Sequence, residues 1–127
     1  MNTQENNKMI AEFMGLKYYE PFFEVTDESQ MEKIEVREGK VILFGYMFEP
    51  HELKYHASWG WLMHVVEKIE SLGYEFFIVE DRVEVSHNTD HSIETIIDLT
   101  FGGSKRDATY QGVVEFINQY NKNESTD

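Results

Sequence analysis

The residues best suited to chemistry in this chain are its histidines, and the run "HNTDH" at 87–91 gathers two of them. His87, Asp90 and His91 would supply nitrogen and oxygen donors to a divalent ion on one loop, the core of a small metal-assisted enzyme. A turn explains Asn88 and Asp90 equally well, since both side chains cap their own backbone. A second pair, His56 and His64, lies in "YHASWGWLMH". Eight residues and a loop separate them, so they lack the HxxxH spacing that brings two imidazoles onto one helical face.

Other candidates are thinner. "EVTDESQ" has carboxylates at Glu24, Asp27 and Glu28 but neither the ligand order nor the central glycine of a calcium loop. "FGGSKR" (101–106) offers two glycines and two cations before a helix, as an anion loop does, yet a sharp turn needs the same glycines. Glu84 and Glu94 would be cross-strand neighbours, but acid–base work needs a concavity that no spacing implies. GxSxG, GxxxxGK[ST] and GxGxxG are absent from the sequence. The expectation is a protein that is not an enzyme, with no catalytic residue, cofactor or metal.

Charge narrows the partners. The 127 residues hold 24 Asp plus Glu against 11 Lys plus Arg, a formal charge of −13. Phosphate backbones and anionic lipid are repelled by such a surface, which either serves solubility alone or attracts a basic surface on another protein. Cysteine is absent, which removes disulfides, thiolate metal sites and cysteine nucleophiles. The N-terminus lacks a basic region followed by an apolar run, and nowhere do about 18 apolar residues occur in succession. A soluble, cytoplasmic protein is expected.

The elements that would position these residues follow from periodicity. Residues 4–14 carry Met9, Ile10, Phe13 and Met14 at helical spacing, with Thr3 as N-cap and Gly15 as terminator. Pro21 interrupts an aromatic run within 16–30, which reads as an irregular or edge strand passing into an acidic loop. Residues 33–48 read as a hairpin turning at Glu38–Gly39. Ser58 caps a second helix whose stripe is Leu62, Val65, Val66, Ile69 and Leu72; this face meets the sheet. Trp59 is placed in the core, His64 on the solvated side, and Trp61 on the flank, where it either packs or, half-exposed, anchors a partner.

Residues 74–101 read as a three-strand meander turning at Glu80–Asp81 and Asn88–Asp90. Val83 and Val85 face one way, Arg82 and Glu84 the other. Apolar residues on both sides of "FFIV" (76–79) suggest helices on both faces of the sheet. Ser104 and Asp107 have capping-box spacing before a third helix with the stripe Tyr110, Val113, Val114, Ile117 and Tyr120. The expected fold is α+β: a mainly antiparallel sheet of about five strands, hairpin plus meander, packed with three helices in one domain (1–121), followed by a disordered acidic tail (122–127).

Three runs, "NKMIAEFMGLKY" (7–18), "KYHASWGWLMHVVEKIESLG" (54–73) and "ATYQGVVEFINQYN" (108–121), together resemble a group of small proteins encoded by phages and prophages of Bacteroidetes-type bacteria, similar to the phage alpha-beta-alpha sandwich domain. They cover a little over a third of the chain. The chain departs from the pattern at Gly60, where an acidic residue is expected, and at His64, where proline is expected. The resemblance implies a fold and a mobile-element origin, with no catalytic residue to carry over.

The functional expectation is therefore a phage-type accessory protein that binds another protein through acidic residues, as in a nucleic-acid-mimicking, anti-CRISPR-like inhibitor of a host defence nuclease. Its contacts would be Glu20, Glu24, Asp27, Glu28, Glu80, Asp81, Glu84, Glu94, Asp98 and Trp61. The alternatives are an oligomerising structural component presenting Trp61, or the metal-assisted enzyme built on His87, Asp90 and His91.

Overall fold

The computed structural model describes residues 3–19, 22–24, 47–88, 93–100 and 102–125. The chain divides into two compact units, Met1–Val65 and Val66–Asp127.

The first unit opens with helix α1 (Thr3–Phe13), which buries Asn7, Ile10 and Ala11 at helical spacing. It ends in a Schellman motif. Gly15 takes φ 85°, its N–H bonds Glu12 O, and Leu16 N–H bonds Ala11 O, both at 3.0 Å. Strands β1 (Lys17–Tyr19), β2 (Phe22–Glu24) and β3 (Met47–Phe48) form an antiparallel sheet in that order. Tyr19 pairs with Phe22, so the aromatic run around Pro21 makes two paired strands in place of one edge strand. A 3₁₀ turn, Pro50–Glu52, follows.

Asn7 ties this turn's continuation to α1. Its Nδ2 donates to Leu53 O at 3.1 Å and lies 2.9 Å from His56 Nδ1, a bond spanning 49 positions. Leu53 and Tyr55 are fully buried. Burial pushes the Tyr55 hydroxyl well above its ordinary range. The folded chain then keeps a proton that the unfolded chain loses above pH ~10, so this contribution is intact below that pH and falls by about 1.4 kcal/mol per unit above it. Urea melts near pH ~8 and pH ~11 should show Tyr55→Phe losing about 1.4 kcal/mol less across the interval than the parent chain; equal losses would contradict it.

Helix α2 (Trp59–Ser71) starts where the sequence places it: Ser58 O accepts from Leu62 N–H at 3.0 Å, and Ser58 Oγ lies 3.4 Å from Trp61 N. Its phase differs from the expectation. Trp61 is 2% exposed and Trp59 39% exposed; His64 is buried and Leu72 is exposed. Residues 61, 62, 64, 65, 66 and 69 are the buried ones, an arc of roughly 200° at 100° per residue. That arc is wider than a single stripe, so it takes in Trp61 and His64 at its sides. Trp59 lies about 20° beyond Val66, at the edge of that arc, and falls outside. The Trp61 ring meets Tyr55 edge-on at 5.1 Å and 81°.

In the second unit, β4 (Tyr74–Val79), β5 (Arg82–Asn88) and β6 (Ile93–Thr100) form an antiparallel meander, and α3 (Lys105–Ser125) packs on all three strands. The five-stranded sheet is thus incorrect. The described strands form two separate three-stranded sheets, and β3, the end of the expected hairpin, pairs with β2 and belongs to the first. The rest of that hairpin lies outside the described residues. The α+β class stands.

Val79 pairs with Arg82, leaving Glu80 and Asp81 as a two-residue turn in which Glu80 adopts φ 54°. A side chain there costs about 1–2 kcal/mol that glycine would avoid. Between Val85 and Ser86 the β5–β6 register slips by one residue, since Val85 pairs with Ile97 but Ser86 with Thr95; Ile96 is the bulged position. Ser104 caps α3, its Oγ accepting from Asp107 N–H at 3.0 Å. The helix buries Ala108, Val113, Val114, Phe116 and Ile117 and continues to Ser125, past the boundary set for the tail at residue 122. Every turn added near its end is polar, so no apolar period marks the extension in the sequence.

Candidate functional site

Strand alternation sorts β4 and β5 into two faces. Phe76, Val83 and Val85 are buried, while Phe77 is 50% and Val79 64% exposed. The expectation of helices over both faces fails at these two positions. Strand "FFIV" is apolar throughout, but within this unit α3 packs on one side of the sheet, and Phe77 and Val79 on the other are exposed.

Register arranges the outer face in two rows. Phe77 lies opposite Glu84, which lies opposite Asp98; Val79 lies opposite Arg82, which lies opposite Thr100. The expected Glu84–Glu94 pair is therefore replaced by Glu84–Asp98, and Glu94 sits opposite His87. Arg82 reaches diagonally to Asp98 with two bonds, Nε to Oδ1 at 3.1 Å and Nη2 to Oδ2 at 3.2 Å, and Nη2 stands 3.4 Å from Glu84 Oε2. The hydrogen bond to Asp98, then the charges of Asp98 and Glu84, hold its guanidinium above the usual range. Such a fork fixes geometry more than it adds stability, because all three groups are exposed to water.

Phe77, Val79, Asp81, Arg82, Glu84 and Thr100 border an open depression of about 290 Å³. Glu80 lines it too, and with Asp98 beside Arg82 the patch holds four carboxylates and one guanidinium around two exposed apolar side chains. An aromatic at the centre of a polar rim is the anatomy of a binding surface. Glu84 Oε1 accepts from the Ser86 and Thr95 hydroxyls at 3.5 Å, Thr100 lines the depression, and no histidine is among its described lining residues.

The other candidate residues are dispersed. Glu24 lies in β2, opposite Lys17 and Met47. Glu20, Asp27, Glu28, Asp90 and His91 lie outside the described residues. Trp61 is buried and is not an exposed anchor, which corrects the role given to it. His87 is turned onto the Tyr74 ring, 4.8 Å away at 31°. His56 bonds Asn7, and His64 is buried in α2.

Sequence reasoning missed Phe77 and Val79 as surface residues; an apolar run reads as buried on both sides, and only the covering elements decide otherwise. It also passed over Glu49, His51 and Glu52, whose donor atoms lie within 4.8 Å of one another. These three are explained by the 3₁₀ turn itself. Glu52 Oε1 accepts Glu49 N–H at 2.8 Å, and His51 Nε2 lies 3.5 Å from Glu49 Oε2. No described helix is long and apolar enough to cross a membrane. No family model, curated protein or solved structure matches the chain.

Proposed function

We propose that this chain is a non-enzymatic binding protein whose outer β4–β6 face docks on another protein, with Phe77 and Val79 as apolar anchors and Glu80, Asp81, Glu84 and Asp98 as an acidic rim. The observation that carries this reading is the exposure of Phe77 and Val79 side by side on a sheet face otherwise polar or charged. The fitting partner presents an apolar recess bordered by lysine or arginine. A second copy of the chain is a poor occupant, because an isologous contact would bring the same carboxylates face to face on a molecule of charge −13. Arg82 sits between Glu84 and Asp98, so the face is mixed in sign and favours a protein recess over the uniformly basic groove that a nucleic-acid mimic would fill. The resemblance of the three helical runs to phage proteins supports a bacterial host as the source of the partner on this reading.

Affinity capture from such a host, with the parent chain and the Phe77→Ser/Val79→Ser variant in parallel, tests the proposal. The parent should retain a protein that the variant loses by about tenfold or more, and retention should weaken as salt rises. A protein retained equally by both chains, or one indifferent to salt, would contradict it.

A further inference from the structure

On the opposite, helix-facing side of the same sheet lies a separate concavity of about 190 Å³ at the end of the meander remote from the Glu80–Asp81 turn. Four rings run along it. His87 and Tyr74 are cross-strand partners with centroids 4.8 Å apart; Tyr74 meets Phe116 edge-on at 4.8 Å and 76°; Phe116 and Tyr120 are near parallel at 5.9 Å and 25°. Phe116 is buried, so the half-buried Tyr74, His87 and Tyr120 give the cavity its ring surface.

Two amides complete the lining, Gln119 and Asn123, one turn apart on α3. Gln119 Nε2 donates to Ile96 O at 3.3 Å, which anchors the side chain on the bulge of β6 and leaves Oε1 as an acceptor. Bulges commonly re-aim groups beside binding sites.

The chemistry of this lining selects its ligand. Among the described residues it includes no lysine or arginine to meet an anion and no carboxylate to form an ion pair, while ring faces and amide oxygens attract positive charge. The net charge of −13 raises the local concentration of cations. A concavity of about 190 Å³ has room for a planar head group. A quaternary ammonium would use the rings but has no hydrogens for the amides; a guanidinium uses both. We propose that this pocket binds a guanidinium group, stacked on the tyrosines and donating to Gln119 and Asn123. It is independent of the outer face.

The test is an NMR titration of the isotopically labelled full chain with ethylguanidinium, and with tetramethylammonium and urea as probes lacking the donors or the charge. Ethylguanidinium should produce saturable shifts at the Gln119 and Asn123 side-chain amides and the Tyr74 and Tyr120 rings, at concentrations about tenfold below urea. Tyr120→Leu should weaken it about fivefold, and Gln119→Leu, an exposed position, should weaken it while leaving tetramethylammonium unchanged. Equal binding of a glycine-flanked arginine peptide would assign the group to a protein side chain, and exclusion of the peptide with retention of ethylguanidinium would assign it to a small molecule; either supports the site. Shifts that stay linear to about 50 mM, an equal response to urea, or indifference to both substitutions would overturn it.

Discussion

Trp61→Ala should cost about 3–5 kcal/mol of unfolding free energy, and Trp59→Ala less than about 1 kcal/mol, although the two residues are neighbours but one in sequence. The contrast follows from helix geometry. Trp61 stands inside the buried arc of α2, whereas Trp59, on the 100° wheel, falls about 20° beyond Val66 at the arc's edge and is 39% exposed. Trp61 is enclosed and packs edge-on against fully buried Tyr55, so truncation removes the aromatic pair as well as a large apolar area. Urea unfolding followed by far-ultraviolet circular dichroism gives both values. Comparable losses for the two variants would mean that α2 is rotated from the orientation described.

A second large effect is expected where α3 crosses β5. Gly112 is buried, and a Cβ built there would stand 2.5 Å from Val83 Cγ1 and 3.1 Å from Val83 Cβ. Val83 is fully buried in a strand, so it has little room to yield. Helix propensity alone makes Gly112→Ala favourable by about 1 kcal/mol, whereas overpacking costs about 1–3 kcal/mol; the clash should win, with a net loss of about 1–2 kcal/mol. The sign should reverse in a Val83→Ala background, where the colliding methyls are gone. That background itself loses about 2 kcal/mol from its own cavity. A coupling of about 2 kcal/mol in the cycle marks the contact, and additive losses would contradict the close approach of helix and strand.

Local chemistry made several elements legible in the sequence. Ser58, Ser104 and Gly15 each have side chains, or the lack of one, suited to a helix end, and each occupies that place. The meander was legible because Val83 and Val85 alternate with Arg82 and Glu84 between polar turns. What failed was non-local. Nothing in "VILFGYMF" specifies whether its last residues pair with the meander or with β2, because strand partners are chosen by the whole fold. Periodicity gives the spacing of a helix's apolar residues but not the width of the buried arc, which is how Trp59, Trp61 and His64 exchanged roles.

The candidate site shows the same division. Glu80, Asp81, Glu84 and Asp98 were legible as outward residues, since they oppose an apolar set in strands or occupy a turn. The Arg82 fork required the β5–β6 register, which depends on where the bulge at Ile96 falls. The exposure of Phe77 and Val79 required knowing that α3 lies on the other face. An acidic surface alone reads as solubility; the apolar pair within it is what turns the reading toward recognition.

Recognition through the outer sheet face requires that it be both open and acidic. Solvent paramagnetic relaxation tests both properties together, comparing a cationic with a neutral soluble probe at low and high salt. Phe77 and Val79 side chains should relax strongly where Phe76 and Val83 do not, with the cationic probe more effective than the neutral one at low salt and equal to it at high salt. Protection of Phe77 and Val79 to the level of Phe76, or no preference for the cationic probe, would contradict it.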